Sequence, residues 1–251
     1  MLSLIGLGLW HEKDISVKGL ETVKAADIVY FETYTSVFGA TIPQLEKFFG
    51  RKILPANRKL VEQEAEEKLL LPAKTRHVAV LVVGDPLMAT THVDLLMRAK
   101  KHNVQTQIIH NASVLNAIAQ TGLQAYKFGK IASIPFSEKD YEPETPYNIL
   151  KENQSIGAHT LFLLDLRPDE NNFMTVNDAI RSLQKIEIKR GEGLVKDSTL
   201  CVGCGRLGSL DQKIKAGKAK DLVKVDFGKP PHCLIIPSKL HFVEEEFVGN
   251  L

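Results

Sequence analysis

Residues 77–92, HVAVLVVGDPLMATTH, constrain the chain most. From His77 to Val83 they are almost all apolar and mostly β-branched, the composition of a strand buried on both faces, as in a parallel sheet. Gly84, Asp85 and Pro86 then change the character at once. Glycine admits backbone angles that other residues avoid, and proline fixes the chain while removing a donor. A buried strand therefore ends in a sharp turn that carries one carboxylate. Thr90 or Thr91 caps a following helix over 92–102, with Val93, Leu96 and Met97 on its apolar face. In open α/β sheets ligands lie beyond the carboxyl ends of the strands, where this reading puts Asp85.

The same logic orders the rest of the chain. A strand over 2–5 runs into the loop Gly6-Leu7-Gly8-Leu9, and Asp14 or Ser16 starts a helix over 16–26. A second strand follows over 27–31. Thr41 with Pro43 starts the next helix, and Gly50 stops it. A short strand over 52–54 precedes a charged surface helix over 58–71, in which Val61, Ala65 and Leu69 share a face. With the strand at 77–83, its helix and a fifth strand over 104–109, this alternation predicts a parallel, doubly wound sheet. Ser113 caps a short helix over 114–120. Beyond it, strands at 131–134, 160–164, 198–203 and 233–236 alternate less regularly with helices at 148–156, 175–187 and 240–248, which predicts a mixed sheet. The reading is thus an α/β protein of two domains, 1–112 and 113–251. The proline-rich, acidic stretch 135–147 is expected to be a long surface loop.

Composition narrows the function. A net charge of +2, from 32 basic and 30 acidic residues, gives no global reason to bind nucleic acid or a membrane. Three cysteines suggest no disulfide framework, so a reducing, cytoplasmic setting is expected. Cys201 and Cys204 spell C-x-x-C, but in a strand residues three apart point to opposite faces, and no second pair completes a zinc site. The N-terminal apolar stretch is too short for a membrane span and lacks the flanks of a signal peptide. The G-L-G-L loop lacks the third glycine of a dinucleotide fingerprint and the Gly-Lys-Ser/Thr of a P-loop. Glu32 stands where a ribose-binding acid would, yet without that glycine the NAD reading is weak. A glycine loop beside Gly-Asp-Pro suits a ligand without phosphates. No nucleophile–base set or metal-ligand cluster stands out. His110 and His159 flank strands and read as structural. His232, after two prolines and before a buried strand, is well positioned to meet a ligand.

Several segments together carry a family resemblance: IGLGLWHEKDISVKGLE near the start, YTS at 34–36, VVGDPLMATTH at 82–92, IIHNAS at 108–113, TGLQAYKFGK at 121–130, ENQSIGAHTLFLLDL at 152–166, GRLGS at 205–209 and DFGKPPHCLIIPSKLH at 226–241. In this order, over nearly the whole chain, they resemble the diphthine synthase family of the tetrapyrrole-methylase-like superfamily. The resemblance implies a homodimer of two-domain subunits that holds S-adenosylmethionine in the cleft between the domains and releases S-adenosylhomocysteine. The implied substrate is translation elongation factor 2, in which a histidine bearing a 3-amino-3-carboxypropyl group is methylated repeatedly on the amino nitrogen to give diphthine. The implied cofactor contacts are Leu9, Asp85 and Met88, then Ser113 and Val114 in the N-A-S-V run, then Leu164, Leu207 and His232. Met88 stands where the family often has valine, Leu207 where it often has alanine, and Gly205 where alanine is frequent. No catalytic base or metal is assigned, because alignment alone supplies about 7–11 kcal/mol of barrier reduction.

Two other classes fit a fold of this kind. A tetrapyrrole (precorrin-type) C-methyltransferase needs clustered arginines for a ligand with many carboxylates; the loops near Asp85 and Ser113 have none, and Arg167 and Arg206 stand apart. A non-enzymatic partner of the elongation factor would not retain S-adenosylmethionine. For a protein substrate, the acidic groups Glu138, Asp140, Glu142 and Glu144 in the 135–147 stretch are one candidate docking contact, the alternative being a solvated loop at the edge of the second domain.

Overall fold

In the computed structural model, which describes residues 1–137 and 142–251, the apolar run is a strand, Val78–Val82, with every residue buried. It is the fourth strand of a five-stranded sheet: β1 (Leu2–Gly6), β2 (Ile28–Glu32), β3 (Leu54–Ala56), β4 (Val78–Val82) and β5 (Thr106–Ile109). All pairings are parallel, in the spatial order β3-β2-β4-β1-β5. The chain leaves β1 toward β2 and leaves β4 toward β5, in opposite directions across the sheet. The ends of these two neighbouring central strands are therefore a topological switch point, the usual ligand position in an open α/β sheet.

The helices largely begin and end where side chains cap them. Ser16 accepts from the Gly19 amide at the start of Val17–Ala25, and Asp14 instead accepts from the amides of Trp10 and His11. Thr41 and Gln44 form a capping box for Ile42–Phe49, which ends at Gly50. Three expectations for this unit change. β3 starts two residues later than read and contains Pro55, which an outer strand tolerates. The helix expected over 58–71 is broken into Arg58–Glu62, a π-turn at Glu66–Leu70 and Leu71–Ala73; the wider turn buries Leu69 and Leu70 together. Helix His92–Lys101 turns a different face inward: His92, Leu95 and Ala99 are buried, Leu96 is half-buried, and Val93 and Met97 are more than half exposed.

The chain divides into two compact units, Met1–Ala117 and Ile118–Leu251. The division falls a little beyond Ala112 because the residues just past β5 are tied to the first sheet. Asn111 donates to the Gly6 and Asp14 carbonyls at 2.9 and 3.0 Å.

The second unit has strands β6 (Ala132–Ile134), β7 (Thr160–Leu164), the short hairpin β8 (Leu166–Arg167) and β9 (Asn172–Phe173), β10 (Leu200–Gly205), β11 (Lys213–Lys218) and β12 (His232–Ile236). Its sheet runs β11-β10-β12-β7-β6, antiparallel except for β6 with β7. Helices Thr145–Ser155 and Val176–Arg190 pack on it around Tyr147, Leu150, Phe162, Ile180, Leu183 and Leu234. The first of these begins inside the stretch expected to be loop, with Pro146 in its first turn. β10 lies two residues later than the predicted 198–203, and β11 and the hairpin were not predicted. No helix among the described residues is long and apolar enough to cross a membrane. All three cysteines are free and buried; Cys204 faces Cys233 across β10 and β12, and burial pushes the Cys201 thiol up to about 12.

Candidate functional site

At the switch point the two loops are joined through backbone. The Gly84 amide donates to the Gly8 carbonyl at 2.8 Å, and the Gly8 amide returns to the Gly84 carbonyl at 3.3 Å. Gly6, at the end of β1, permits this approach: a Cβ there would lie 2.6 Å from the Gly84 carbonyl oxygen and 2.8 Å from the Asn111 side chain. Because the first obstacle is backbone, Gly6→Ala is expected to cost about 1–3 kcal/mol, the usual range for overpacking. Thermal unfolding checks this, and an unchanged melting temperature would mean that the loops can separate freely.

Asp85 is 5% exposed, and its carboxylate is spoken for within the fold. Oδ1 accepts from the Leu87 amide at 3.0 Å; Oδ2 accepts from the Asn111 amide at 3.1 Å and from His110 Nδ1 at 2.8 Å. The carboxylate therefore joins the Gly-Asp-Pro turn to the segment after β5, which leads directly to Ser113 and Val114. Ser113 is buried, and its Cβ would stand 3.4 Å from one added at Gly84. Leu9, half-buried, follows the Gly8 bridge, and Val114 is half-buried at the start of helix Val114–Ala117. Met88 lies farther out on the turn and is 48% exposed. Of the first unit's expected contacts, Leu9, Asp85, Ser113 and Val114 thus sit on segments tied together at the switch point, and Met88 projects from the same turn.

Glu32 is no ribose acid. It is fully buried, with Oε2 2.6 Å from His92 Nε2, close but not aligned as a hydrogen bond.

In the second unit, Leu164, His232 and Gly205 share one end of the sheet. Cys233 faces Leu163, so the antiparallel register puts His232 level with Leu164, and His232 also faces Gly205. Leu164 and Leu207 are 7% and 8% exposed. His232 Nε2 points at the Gly228 and Lys229 carbonyls, at 3.2 and 3.1 Å, and so carries the proton; Nδ1 is buried and has no partner among the described residues. Burial holds the His232 imidazole below its ordinary value, and the two carbonyls only partly oppose this.

Arg206 organises this end. Its Nε donates to Asp211 Oδ2 at 3.0 Å, Nη2 to the Asp211 carbonyl at 2.7 Å, and Nη1 to the carbonyls of Phe227, at 2.9 Å, and Lys229. Its own amide donates to the Pro231 carbonyl at 2.9 Å. The guanidinium, 6% exposed, fastens the loop bearing Leu207 to the loop bearing His232. It is therefore not free to hold ligand carboxylates. Sequence reasoning missed this role, as it missed Asn111. The signal present was a bulky residue inside G-R-L-G-S, where Arg206 adopts φ +51°.

Glu142 and Glu144, candidates to dock a partner, pair internally with Lys189 and Arg190, each at 3.3 Å. Glu138 and Asp140 lie outside the described residues. Among the described residues no cluster of three or more His, Cys, Asp or Glu side chains could hold a metal ion.

A diphthine synthase from Methanocaldococcus jannaschii is 48% identical, covering 100% of this chain and 98% of its own length. An Arabidopsis thaliana protein named "Probable diphthine methyl ester synthase" is 46% identical, covering 99% of this chain and 97% of its own. A crystal structure of a diphthine synthase superposes with a TM-score of 0.90 at 40% identity, covering 99% of this chain and 94% of that one. The model of the tetrapyrrole (corrin/porphyrin) methylases matches residues 1–223, through the Gly-Asp-Pro turn, the N-A-S-V run and the Arg206 loop, and the chain belongs to that family.

Proposed function

We propose that the protein is an S-adenosylmethionine-dependent methyltransferase that methylates the amino group of the 3-amino-3-carboxypropyl-modified histidine of elongation factor 2, giving diphthine. The observation that carries this is end-to-end identity of 48% with a diphthine synthase, with both candidate loop sets present. The residues suit a nucleoside without phosphates. His232 offers an acceptor with no partner among the described residues, Leu164 and Leu207 offer buried apolar surface, and the Gly8 and Gly84 amides are spent on each other's carbonyls rather than free for a phosphate. We take Leu9, Asp85, Met88, Ser113, Val114, Leu164, Leu207 and His232 as the contacts.

Bound S-adenosylmethionine supplies a methyl group on a positively charged sulfur, open to in-line attack by a neutral amine. The protein's part is alignment. Asp85 fixes the Gly-Asp-Pro turn against the segment that bears Ser113. Arg206 fixes Leu207 relative to His232. The neutral His232 ring, its proton held by backbone carbonyls, would offer Nδ1 as an acceptor to the bound cofactor and carries no charge to repel a sulfonium. The spent Arg206 guanidinium disfavours a polycarboxylate tetrapyrrole as substrate.

Calorimetry is expected to show S-adenosylhomocysteine binding that a chelator leaves unchanged; absence of binding at high concentration sinks the reading. Mass spectrometry of the modified factor after reaction then counts methyl groups. Loss of one of them under mild alkali would mark an ester, as in the product named for the plant relative. The homodimer is part of the same proposal, and light scattering reads it directly.

A further inference from the structure

The Gly-Asp-Pro turn has a second anchor that the reaction does not explain. His92, the first residue of helix His92–Lys101, is 2% exposed and reaches back into the turn that precedes it. Its Nδ1 lies 2.9 Å from the Pro86 carbonyl oxygen and 3.1 Å from the Thr90 hydroxyl. A carbonyl only accepts, so Nδ1 carries a proton. On the ring's other side Nε2 lies 2.6 Å from Glu32 Oε2 at the end of β2, and neither Glu32 oxygen has an aligned donor among the described residues. A buried carboxylate with an unmatched oxygen is a poor way to fill a core; an apolar pair of similar volume is often as stable or more so. Core packing therefore does not explain the pair, whereas the geometry of the turn does. Residues 84–91 include two with positive φ, Gly84 at +75° and Ala89 at +54°, and the latter is a conformation that alanine seldom holds unaided. Burial works against a charged His92 ring, but Glu32 and the Pro86 carbonyl outweigh it and raise its pKa.

We propose that His92 is a positioning residue for the cofactor: braced on Glu32, its imidazole holds the Pro86 carbonyl and so sets the turn that presents Asp85 and Met88. The proposal rests on the cofactor reading above and adds a residue that does not itself touch the ligand. Side-chain geometry supplies a test. An asparagine amide reproduces a histidine Nδ1 donor, whereas a glutamine amide reproduces the more distant Nε2. His92→Asn therefore keeps the bond to Pro86 and loses the Glu32 contact; His92→Gln does the reverse.

The full chain and both variants are titrated with S-adenosylhomocysteine by calorimetry, and turnover is measured at saturating S-adenosylmethionine. His92→Gln is expected to bind at least tenfold more weakly, with kcat within threefold of the wild type, and His92→Asn to bind within threefold. A structural role alone lowers the melting temperature of both variants without this split. Equal affinities in the two variants, or wild-type affinity in His92→Gln, overturn the proposal. If the wild-type chain itself binds no S-adenosylhomocysteine, the cofactor reading falls first. Should neither variant fold, long-range 1H–15N NMR of the wild-type imidazoles decides. A protonated Nδ1 on His92 supports the latch, and a bare Nδ1, which cannot hold a carbonyl, ends it.

Discussion

Glu244→Ala is expected to destabilise the protein by about 3–5 kcal/mol, the cost of removing one partner from a buried charged network. Glu244 is fully buried at the start of helix Phe242–Val248, where it caps the His241 amide at 2.8 Å. It also accepts from the Gln124 amide at 2.8 Å, from His159 Nε2 at 3.1 Å and from the Lys127 ammonium. Alanine would leave the His241 and Gln124 amides and His159 Nε2 without an acceptor, leave the Lys127 ammonium only the Lys239 carbonyl, and release the last helix from the 124–128 turn. At about 2–4 °C per kcal/mol for a chain of this size, the melting temperature should fall by roughly 10 °C. Burial pushes the Glu244 carboxyl up, but the His241 amide, Lys127, the Gln124 amide and His159 outweigh it and hold its pKa at about 2, below the ordinary 4.5. A depressed folded-state value means that the contribution is complete above pH 4.5 and is lost as pH falls through about 2. The gap in stability between wild type and variant should therefore stay level above pH 4.5 and narrow below it. A gap that widened toward acid would show that Glu244 is protonated in the native protein.

Asp85→Ala should weaken cofactor binding by about 10- to 150-fold, the equivalent of the ~1.5–3 kcal/mol of one charge-assisted hydrogen bond. The carboxylate makes three such bonds in holding the turn, so the loss should appear in the KM for S-adenosylmethionine, with kcat at saturation nearly unchanged. If the variant binds S-adenosylhomocysteine normally and yet transfers no methyl group, Asp85 acts in the chemical step and its assignment as a contact fails.

Local rules made the first unit readable. Apolar runs marked β1, β2 and β4, β-branched mainly in β4; Ser16, Thr41 and Gly50 marked helix ends; and Gly-Asp-Pro marked the turn that the switch point surrounds. Misreadings arose where a distant partner overrode local periodicity. His92 looks polar and outward until Glu32, sixty residues earlier in the chain, is brought beside it; Val93 and Met97 then turn outward instead. Arg206 reads only as standing apart because, besides Asp211 five residues on, its partners are backbone carbonyls at 227 and 229, which no side-chain motif reveals. β11 was missed because KIKAGK has lysines and a glycine where a strand normally carries branched or aromatic residues.

That lysine-rich composition decides how this sheet behaves in a crowd. β11 is an outermost strand, and among the described residues its far side has no strand partner, so its peptide groups could template another chain. Alternation puts Lys213 and Lys215 toward one face and Lys218 toward the other. A second copy docking edge to edge would bring ammonium groups together on both faces, with repulsion added to the loss of hydration. Lys215 also reaches the carbonyl of Leu251, which keeps one ammonium over the edge. The strand's poor intrinsic propensity is thus a guard against stacking, and substitutions that improve it as a strand would favour self-association at high concentration.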